Sequence, residues 1–379
     1  MRYCLSCLLP DSRPGVALDE AGICNGCRSV AAKHDSIDWD ARARAFEELA
    51  ASARQRSHGY DCLIPVSGGK DSYWQVVTCL EAGLHPLTMT YIIPGQTELG
   101  RRNLDNLIRI GVDHVAVRVN PEVERRFIEQ AFRRTGTSGL PTHMAIYTMP
   151  LRLALRYDIP LVVYGENSAI EYGTEDESLA GARVDRRWLQ RFGVTHGTTA
   201  ADWVGETLSE RDLQPFFAPG EDELAAADLK AVFLGYYFPW DVEQSRRVAT
   251  AHGFQSRAEG ARVGTYDYVN IDDDFIAIHH HLKWYKFGIT RSWDNLSLEI
   301  RNGRLTRDQA IETLRALGDE TPQRDIEHFC AYLGISVAEY YRICESFRNR
   351  DIWVRRNGRW EIEDFLIPDW PWPGDDSEG

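Results

Sequence analysis

Six consecutive residues, Ser67-Gly68-Gly69-Lys70-Asp71-Ser72, hold the densest chemistry in the sequence. The two glycines let backbone N–H groups approach an anion closely, and the two serines add hydroxyl donors. The segment follows an apolar run and opens a helical pattern, so the positive end of a helix dipole would face the same anion. The spacing is not that of a Walker A loop, which needs G-x-x-x-x-G-K-[ST]. A glycine-rich strand-to-helix turn with no ligand is the plain alternative.

A second constellation lies at the N-terminus. Cys4-x2-Cys7 and Cys24-x2-Cys27 are separated by 16 residues, a spacing suited to a four-cysteine zinc knuckle. Each CxxC turn presents two thiolates to one ion, and two such turns close a tetrahedron with no open position, which implies a structural role. An iron–sulfur cluster or a redox dithiol is the alternative. Cys62, Cys79, Cys330 and Cys344 lie in apolar or helical stretches and read as buried thiols.

The elements that must position these residues follow from periodicity. Residues 37–56 read as an amphipathic helix. From Tyr60 short apolar strands at 60–66, 86–93, 113–119 and 160–164 alternate with helices over 71–82, 97–110, 121–134 and 142–157. That alternation predicts a doubly wound parallel sheet, α/β in class, whose ligands sit beyond the carboxyl ends of its strands. The loops 67–72 and 165–173 both fall there. Residues 171–230 read as loops and short helices, and two or three amphipathic helices fill 305–350, with Thr306 as an N-cap. The tail after Pro368 reads as mobile or partner-bound. The expected division is a cysteine knuckle over 1–35, a linker helix over 36–58, a nucleotide-binding core over 59–240, and a mostly helical C-terminal region over 241–379 that meets substrate or partner.

The 379 residues carry a formal charge of −14 with 43% hydrophobic residues. The length suffices for a sizeable core, and the acidity argues against broad affinity for nucleic acid. No run reaches the roughly 18 apolar residues of a membrane span, and the opening residues lack a secretory h-region. A cytoplasmic location with no membrane association is therefore expected.

The SGGKDS segment between strand and helix resembles the PP-loop of the ATP pyrophosphatase superfamily. The resemblance implies a Rossmann-like core of the adenine nucleotide α-hydrolase type, cleaving ATP to AMP and pyrophosphate with Mg2+ near the phosphates. Ser67, Gly68, Gly69 and Ser72 would hold the pyrophosphate, Lys70 would neutralise charge, and Asp71 would contact Mg2+. Further blocks narrow the resemblance: GICNGCR (22–28), YDCLIPVSGGKDS (60–72), RNLDNLIRIGVDHV (102–115), PLVVYGENSAIEYG (160–173), YYFPWD (236–241), HLKWYKFG (281–288) and IRNGRLTRDQAI (300–311). In this order they are similar to the N-acetyl sugar amidotransferases of the WbpG and PseA type. What this implies is adenylation of an acetamido oxygen on a nucleotide-activated sugar, then displacement of AMP by ammonia to give an acetamidino sugar for lipopolysaccharide or related glycans. The resemblance also implies that ammonia comes from a separate HisH-like glutaminase; with no cysteine in a G-x-C-x-G elbow, a partner or free ammonium is expected.

Other candidates carry duller readings beside them. Glu166 and Asn167 close the fourth strand and are placed to orient Mg2+, pyrophosphate or the sugar amide, or to cap a turn; Glu171 and Tyr172 share their loop. Lys283 and Lys286, three apart on a helix, are candidate catalytic cations or a solvated face. Arg304 and Arg307, with Arg301, match a family block and are candidates to clamp substrate phosphate, or form a basic helix start. Consecutive His279, His280 and His281 point in different directions and make a poor metal site, although His281 is placed to reach the pocket. Asp272-Asp273-Asp274 reads as an acidic turn before a Mg2+ contact, and Tyr236–Trp240 as core before a sugar platform. Two rival functions remain: a thiolase-type tRNA-modifying PP-loop enzyme, which should show a basic RNA surface, and a non-catalytic ATP-binding subunit, which should form no AMP.

Overall fold

The computed structural model describes residues 1–174, 176–318 and 320–372, with only the backbone of His34 and Asp35. Two helices, α1 (Asn25–Asp35) and α2 (Trp39–Arg56), precede the sheet. Its five strands are β1 (Cys62–Pro65), β2 (Pro86–Tyr91), β3 (Asp113–Val117), β4 (Leu161–Tyr164) and β5 (Lys230–Phe233). They run parallel in the order β3-β2-β1-β4-β5. The strand order reverses between β1 and β4, which places a topological switch point there.

Alternation along the strands sorts the core into two layers. Cys62 and Ile64 of β1 share one face with Leu161, Val163 and Val232, against Phe46 and Ala50 of α2 and Val76 of α3 (Lys70–Glu81). Leu104 of α4 (Glu98–Ile108) joins this layer. Leu63, Val162, Tyr164 and Phe233 point the other way, toward Phe127 of α5 (Pro121–Thr135) and Met144 of α6 (Leu140–Arg156). Burial on both faces explains why β1 and β4 read as continuous apolar runs instead of alternating ones. The residues at 36–58, expected to link two units, thus belong to the core through Phe46, Ala50 and Ala53. Edge strand β5 escaped the periodicity because it is short and runs directly into an aromatic stretch.

Short helices fill the stretch after β4: α7 (Ser168–Tyr172), α8 (Arg186–Phe192), α9 (Glu210–Leu213), α10 (Glu221–Ala226) and α11 (Leu234–Tyr237). Trp188, Trp203 and Phe216 from this region are almost wholly buried in the α5–α6 layer. The rest of the chain forms α12 (Val242–Ala251), α13 (Ile276–Phe287), α14 (Arg291–Arg301), α15 (Arg307–Leu317), α16 (Gln323–Leu333), α17 (Val337–Ser346) and an antiparallel hairpin, β6 (Trp353–Arg356) with β7 (Arg359–Ile362). Thr306 caps α15 as expected, and Gln309 returns the bond to the Thr306 amide. Helices α13, α16 and α17 pack on α5 around Phe132, Phe329 and Tyr340. Helices α14 and α15 pack on the cysteine turns through Leu8, Leu9, Trp293, Leu296 and Leu314. Trp370 joins that cluster, so the tail expected to be mobile or partner-bound is anchored at this residue; residues 373–379 lie outside the description. Among the described residues no helix is long and apolar enough to cross a membrane.

One buried ion pair fastens the N-terminal helix to the sheet's loops. Lys33 of α1 donates to both carboxylate oxygens of Glu171 at 2.8 and 2.9 Å and to the Trp240 carbonyl at 2.6 Å. Both side chains are buried, and an unpaired charge there would be far costlier than a paired one. Lys33→Met or Glu171→Leu alone should cost about 3–5 kcal/mol in urea unfolding, whereas the double replacement should recover most of that loss. Additive losses would show that the pair does not act as a unit.

Candidate functional site

The loop after β1 is shaped for an anion. Gly68 has φ +88°, and a Cβ there would lie 2.6 Å from the Gly100 carbonyl oxygen and 2.8 Å from the Leu104 nitrogen. Only glycine fits both the backbone and the contact with α4. The Ser67 amide donates to Ser72 Oγ at 3.0 Å, which curls the loop over the start of α3. Gly69 is the N-cap of α3 and offers no side chain; Ser72 N–H donates to the Gly69 carbonyl at 3.1 Å, and the Lys70 and Asp71 N–H groups remain for a ligand.

Charged groups converge on this loop. Buried Lys70 holds both oxygens of Asp71 at 2.7 and 2.6 Å, and Trp240 Nε1 donates to Asp71 Oδ1 at 2.9 Å. The Lys70 ammonium lies 5.3 Å from the centre of the Trp240 ring. Trp240, assigned to the core from sequence, is therefore half core and half site. Segment 271–273 pairs with 96–97 next to the loop, and the Asp272 carboxylate accepts from Ser67. Glu166, on the loop after β4, is pushed up to about 7, first by burial and then by the Asp71 charge. Burial, and to a smaller degree Asp71, also raises Asp272.

Three carboxylates that repel one another beside an anion loop suit a hard divalent cation. Among the described residues only the four cysteines approach closely enough to enclose a metal by themselves. Asp71 and Asp272 are the two that could hold such a cation together with bound phosphate.

The cysteine turns fit zinc. All four Sγ atoms lie within 4.8 Å of one another, with Cys4–Cys27 at 3.9 Å and Cys7–Cys24 at 3.7 Å. Tetrahedral zinc with Zn–S bonds of about 2.3 Å needs sulfurs about 3.8 Å apart. The spacing is too long for disulfides. Arg301 lies 3.5 Å from Cys24 Sγ and 3.7 Å from Cys7 Sγ, and also donates to the Glu171 carbonyl at 3.2 Å. Its charge balances the thiolates, so it is not free to clamp substrate phosphate.

Several expected ligands have other employment. Arg304 is held by Glu299 at 2.6 Å and Asp241 at 2.8 Å, and Arg307 donates to the Cys7 carbonyl at 2.9 Å. The two acids neutralise Arg304, whereas one carbonyl bond leaves Arg307 its charge and its other N–H groups. Lys283 and Lys286 diverge: Lys283 donates to Asp294 at 2.8 Å, and Lys286 caps the carbonyls of Thr135 and Gly136 at the end of α5. Lys286 therefore serves the fold. Asn167 is fully buried; its oxygen accepts from Ala169 N and Trp188 Nε1, and its amide donates to the carbonyls of Leu179 and Gly181. It shapes the loop and presents nothing to a ligand. Glu171 is occupied by Lys33, and His281 bonds to the Tyr340 hydroxyl inside the α13–α17 cluster, away from the loop. Tyr172 remains near the site, with the Arg13 guanidinium 4.9 Å from the centre of its ring. Of the residues that sequence reasoning missed, Lys33 and Arg13 meet partners far along the chain and leave no local spacing to read, whereas Arg291 and Asp294 lie three apart on α14.

These features define an α/β protein with a glycine-rich anion loop at the switch point of a parallel sheet. Its residues 262–366 match the family model described as "LPS biosynthesis protein WbpG-like, C-terminal domain". That segment spans α13 to the hairpin and agrees with the WbpG-type resemblance of the sequence blocks it contains. No curated protein matches the chain. Among solved structures, NMN synthetase from Francisella tularensis is similar at 10% identity and TM-score 0.35, over 76% of this chain and 94% of that one. A predicted subunit of tRNA methyltransferase from Methanocaldococcus jannaschii is similar at 15% identity and TM-score 0.27, over 50% of this chain and 73% of that one.

Two consequences are measurable. Gly68→Ala should weaken Mg-ATP binding by at least about tenfold and lower stability by about 1–2 kcal/mol, read by calorimetry and thermal unfolding. Unchanged affinity would remove the loop as the anion site. Glu166 has a folded pKa of about 7 against an ordinary 4.5, so the folded state keeps a proton that the unfolded state releases in that interval. Stability is therefore lost as pH rises from the ordinary value to about 7. Glu166→Gln should be more stable than the parent by about 1–2 kcal/mol near pH 8, with the advantage fading toward pH 4.5. An equal difference at both pH values would show that burial does not hold the proton.

Proposed function

We propose that the chain is an ATP-dependent, AMP-forming amidotransferase that converts an acetamido group of a nucleotide-activated sugar into an acetamidino group, for lipopolysaccharide or a related surface glycan. The supporting observation is the combination in one chain of the SGGKDS loop at the switch point with the WbpG-like C-terminal domain over 262–366. An amide carbon is a poor electrophile, so its oxygen must first become a leaving group. The amide oxygen attacks the α-phosphorus of ATP, the bond to the bridging oxygen breaks, and pyrophosphate departs. Ammonia then adds to the imidate carbon, the C–O bond breaks, and AMP leaves with the former amide oxygen.

The residues take distinct parts in this scheme. Ser67, Gly68, Gly69, Ser72 and the first turn of α3 hold the leaving pyrophosphate. Lys70 exchanges Asp71 for phosphate, while Asp71 and Asp272 hold Mg2+, which supplies charge stabilisation at the phosphates. Glu166, ionising at about 7, accepts the proton that ammonia sheds as it adds. Zinc in Cys4, Cys7, Cys24 and Cys27 fixes the knuckle against α14. Ammonia comes from a separate HisH-like glutaminase or from ammonium.

The test supplies purified chain with Mg-ATP, ammonium and a panel of UDP-linked diacetamido sugars. A sugar lighter by the difference between oxygen and NH should form with matching AMP, and both should vanish in Asp71→Ala. If no sugar yields AMP, even with a glutaminase added, the assignment is wrong.

A further inference from the structure

Asp294, the fourth residue of α14, is completely buried, yet three cations face it. Arg13 Nε lies 2.7 Å from one oxygen, and Lys283 Nζ 2.8 Å and Arg291 NH1 3.7 Å from the other. The carboxylate has no exposed surface, whereas the side chains of Arg13, Lys283 and Arg291 keep 16%, 15% and 17% of theirs. The charge that these four residues expose is therefore cationic, because Asp294 exposes none. Three positive charges on one carboxylate leave an excess that half-buried groups do not carry cheaply. Two nitrogens beside the cluster, Arg291 Nε and His280 Nδ1, are buried without a hydrogen-bond partner.

The cluster is set apart from the pyrophosphate loop. Tyr172 joins them: Arg13 lies over its ring, Arg291 bonds to it, and the Glu166 charge also acts on it. Glu166 answers to Asp71, Lys70 and Glu171, and Asp272 to Ser67, Asp71 and Arg257, whereas Arg13 and Arg291 act on Tyr172 and Lys283 on Asp294. An anion bound here is thus a second one, apart from the pyrophosphate. Lys283 and Arg291 belong to the WbpG-like domain, and Arg13 comes from the cysteine knuckle, so the two appended parts build it together.

We propose that Arg13, Lys283 and Arg291, held by Asp294, form the phosphate-binding site for the nucleotide carrier of the sugar substrate. This deepens the amidotransferase reading and rests on it. The acceptor's phosphates sit on the cationic cluster, and its acetamido group reaches past Tyr172 toward the α-phosphorus of ATP. Arginine supplies the planar fork and lysine the point charge that phosphate recognition uses. Arg304, which is spent on Glu299 and Asp241, is not needed for it.

The test uses the full zinc-loaded chain with its pyrophosphate loop filled by Mg2+ and α,β-methylene-ATP, and titrates UDP and CMP by calorimetry. At least one of the two should bind, and Arg13→Gln and Lys283→Gln should each weaken it by at least about tenfold. Affinity for the ATP analogue should stay within about twofold of the parent, and Lys283→Arg, which keeps the charge, should restore most of the lost binding. Far-UV circular dichroism and thermal unfolding identify any variant that fails to fold, and Lys283→Arg then serves as the folded reference. Neither nucleotide binding to the parent, or unchanged binding in both folded variants, overturns the site. Loss of ATP-analogue affinity instead would assign the cations to ATP and overturn it equally. Nucleotide binding that depends on these cations, in a chain that yields no amidine from any sugar, keeps the site and removes the amidotransferase reading. Amidination with an unchanged KM for the sugar in both variants does the reverse.

Discussion

At the centre of the sheet, β1 and β4 are joined by a single register pair, Leu63 with Val162, and the connections leaving them run to opposite sides. Two neighbouring parallel strands whose loops part in this way must leave a crevice at their carboxyl ends. The other site features are placed by it. Ser67–Ser72 and Gly165–Asn167 line its two sides because they follow these strands. Trp240 reaches Asp71 because β5 lies beside β4, and the Gly235 amide bonds to the Gly165 carbonyl at 3.1 Å. Asp272 arrives from the far end of the chain because segment 96–97, after β2, offers its backbone to 271–273.

The appended parts are fastened around this crevice by buried charge more than by apolar area alone. Lys33 with Glu171, Arg13 with Asp294 and Arg301 with the thiolates each join segments more than a hundred residues apart. Such pairs add little net stability compared with apolar packing, because desolvation offsets most of the attraction. They do penalise every arrangement that leaves one partner alone. The orientation of the knuckle on α7 and α14 is thereby restricted to arrangements that satisfy all three. Arg301 couples two of them, since it touches Cys7 and Cys24 on one side and the Glu171 carbonyl on the other.

How much of this was readable depended on whether a feature is encoded locally. The parallel sheet, the anion loop, the cysteine pairs and the Thr306 cap are set by residues within a few positions of one another, and spacing alone exposes them. Edge strand β5 was lost where an apolar run carries no alternation, and α2 looked like a linker because an amphipathic helix does not announce what it packs against. Expected ligands departed from their expected partners in one direction. Arg304, Lys286 and Asn167 have the right side chains for ligand contact and sit in recognisable stretches, but they bond to Glu299, Asp241 and the carbonyls of Thr135, Gly136, Leu179 and Gly181. A sequence shows which groups are able to bind; it does not show which have already been satisfied by another part of the fold.

That distinction bears on an acidic protein that handles anions. With a formal charge of −14 the surface as a whole repels polyanions, so phosphate must be drawn by local fields in which cations outnumber their partners. Several arginines here fail that condition: Arg125, Arg133, Arg246 and Arg348 each face one or more glutamates within a helical turn. The start of α3 meets it through the N–H groups of Lys70 and Asp71, and the Asp294 cluster meets it by hiding one carboxylate behind three cations. One locus is built of backbone and therefore takes whatever phosphate the glycine curl admits. The other is built of long side chains drawn from two separate parts of the chain, and its geometry changes with the residues at those positions. A fold that uses the first for the common nucleotide and the second for a particular sugar carrier can change acceptor by substitution around α13 and α14 while the loop after β1 stays as it is.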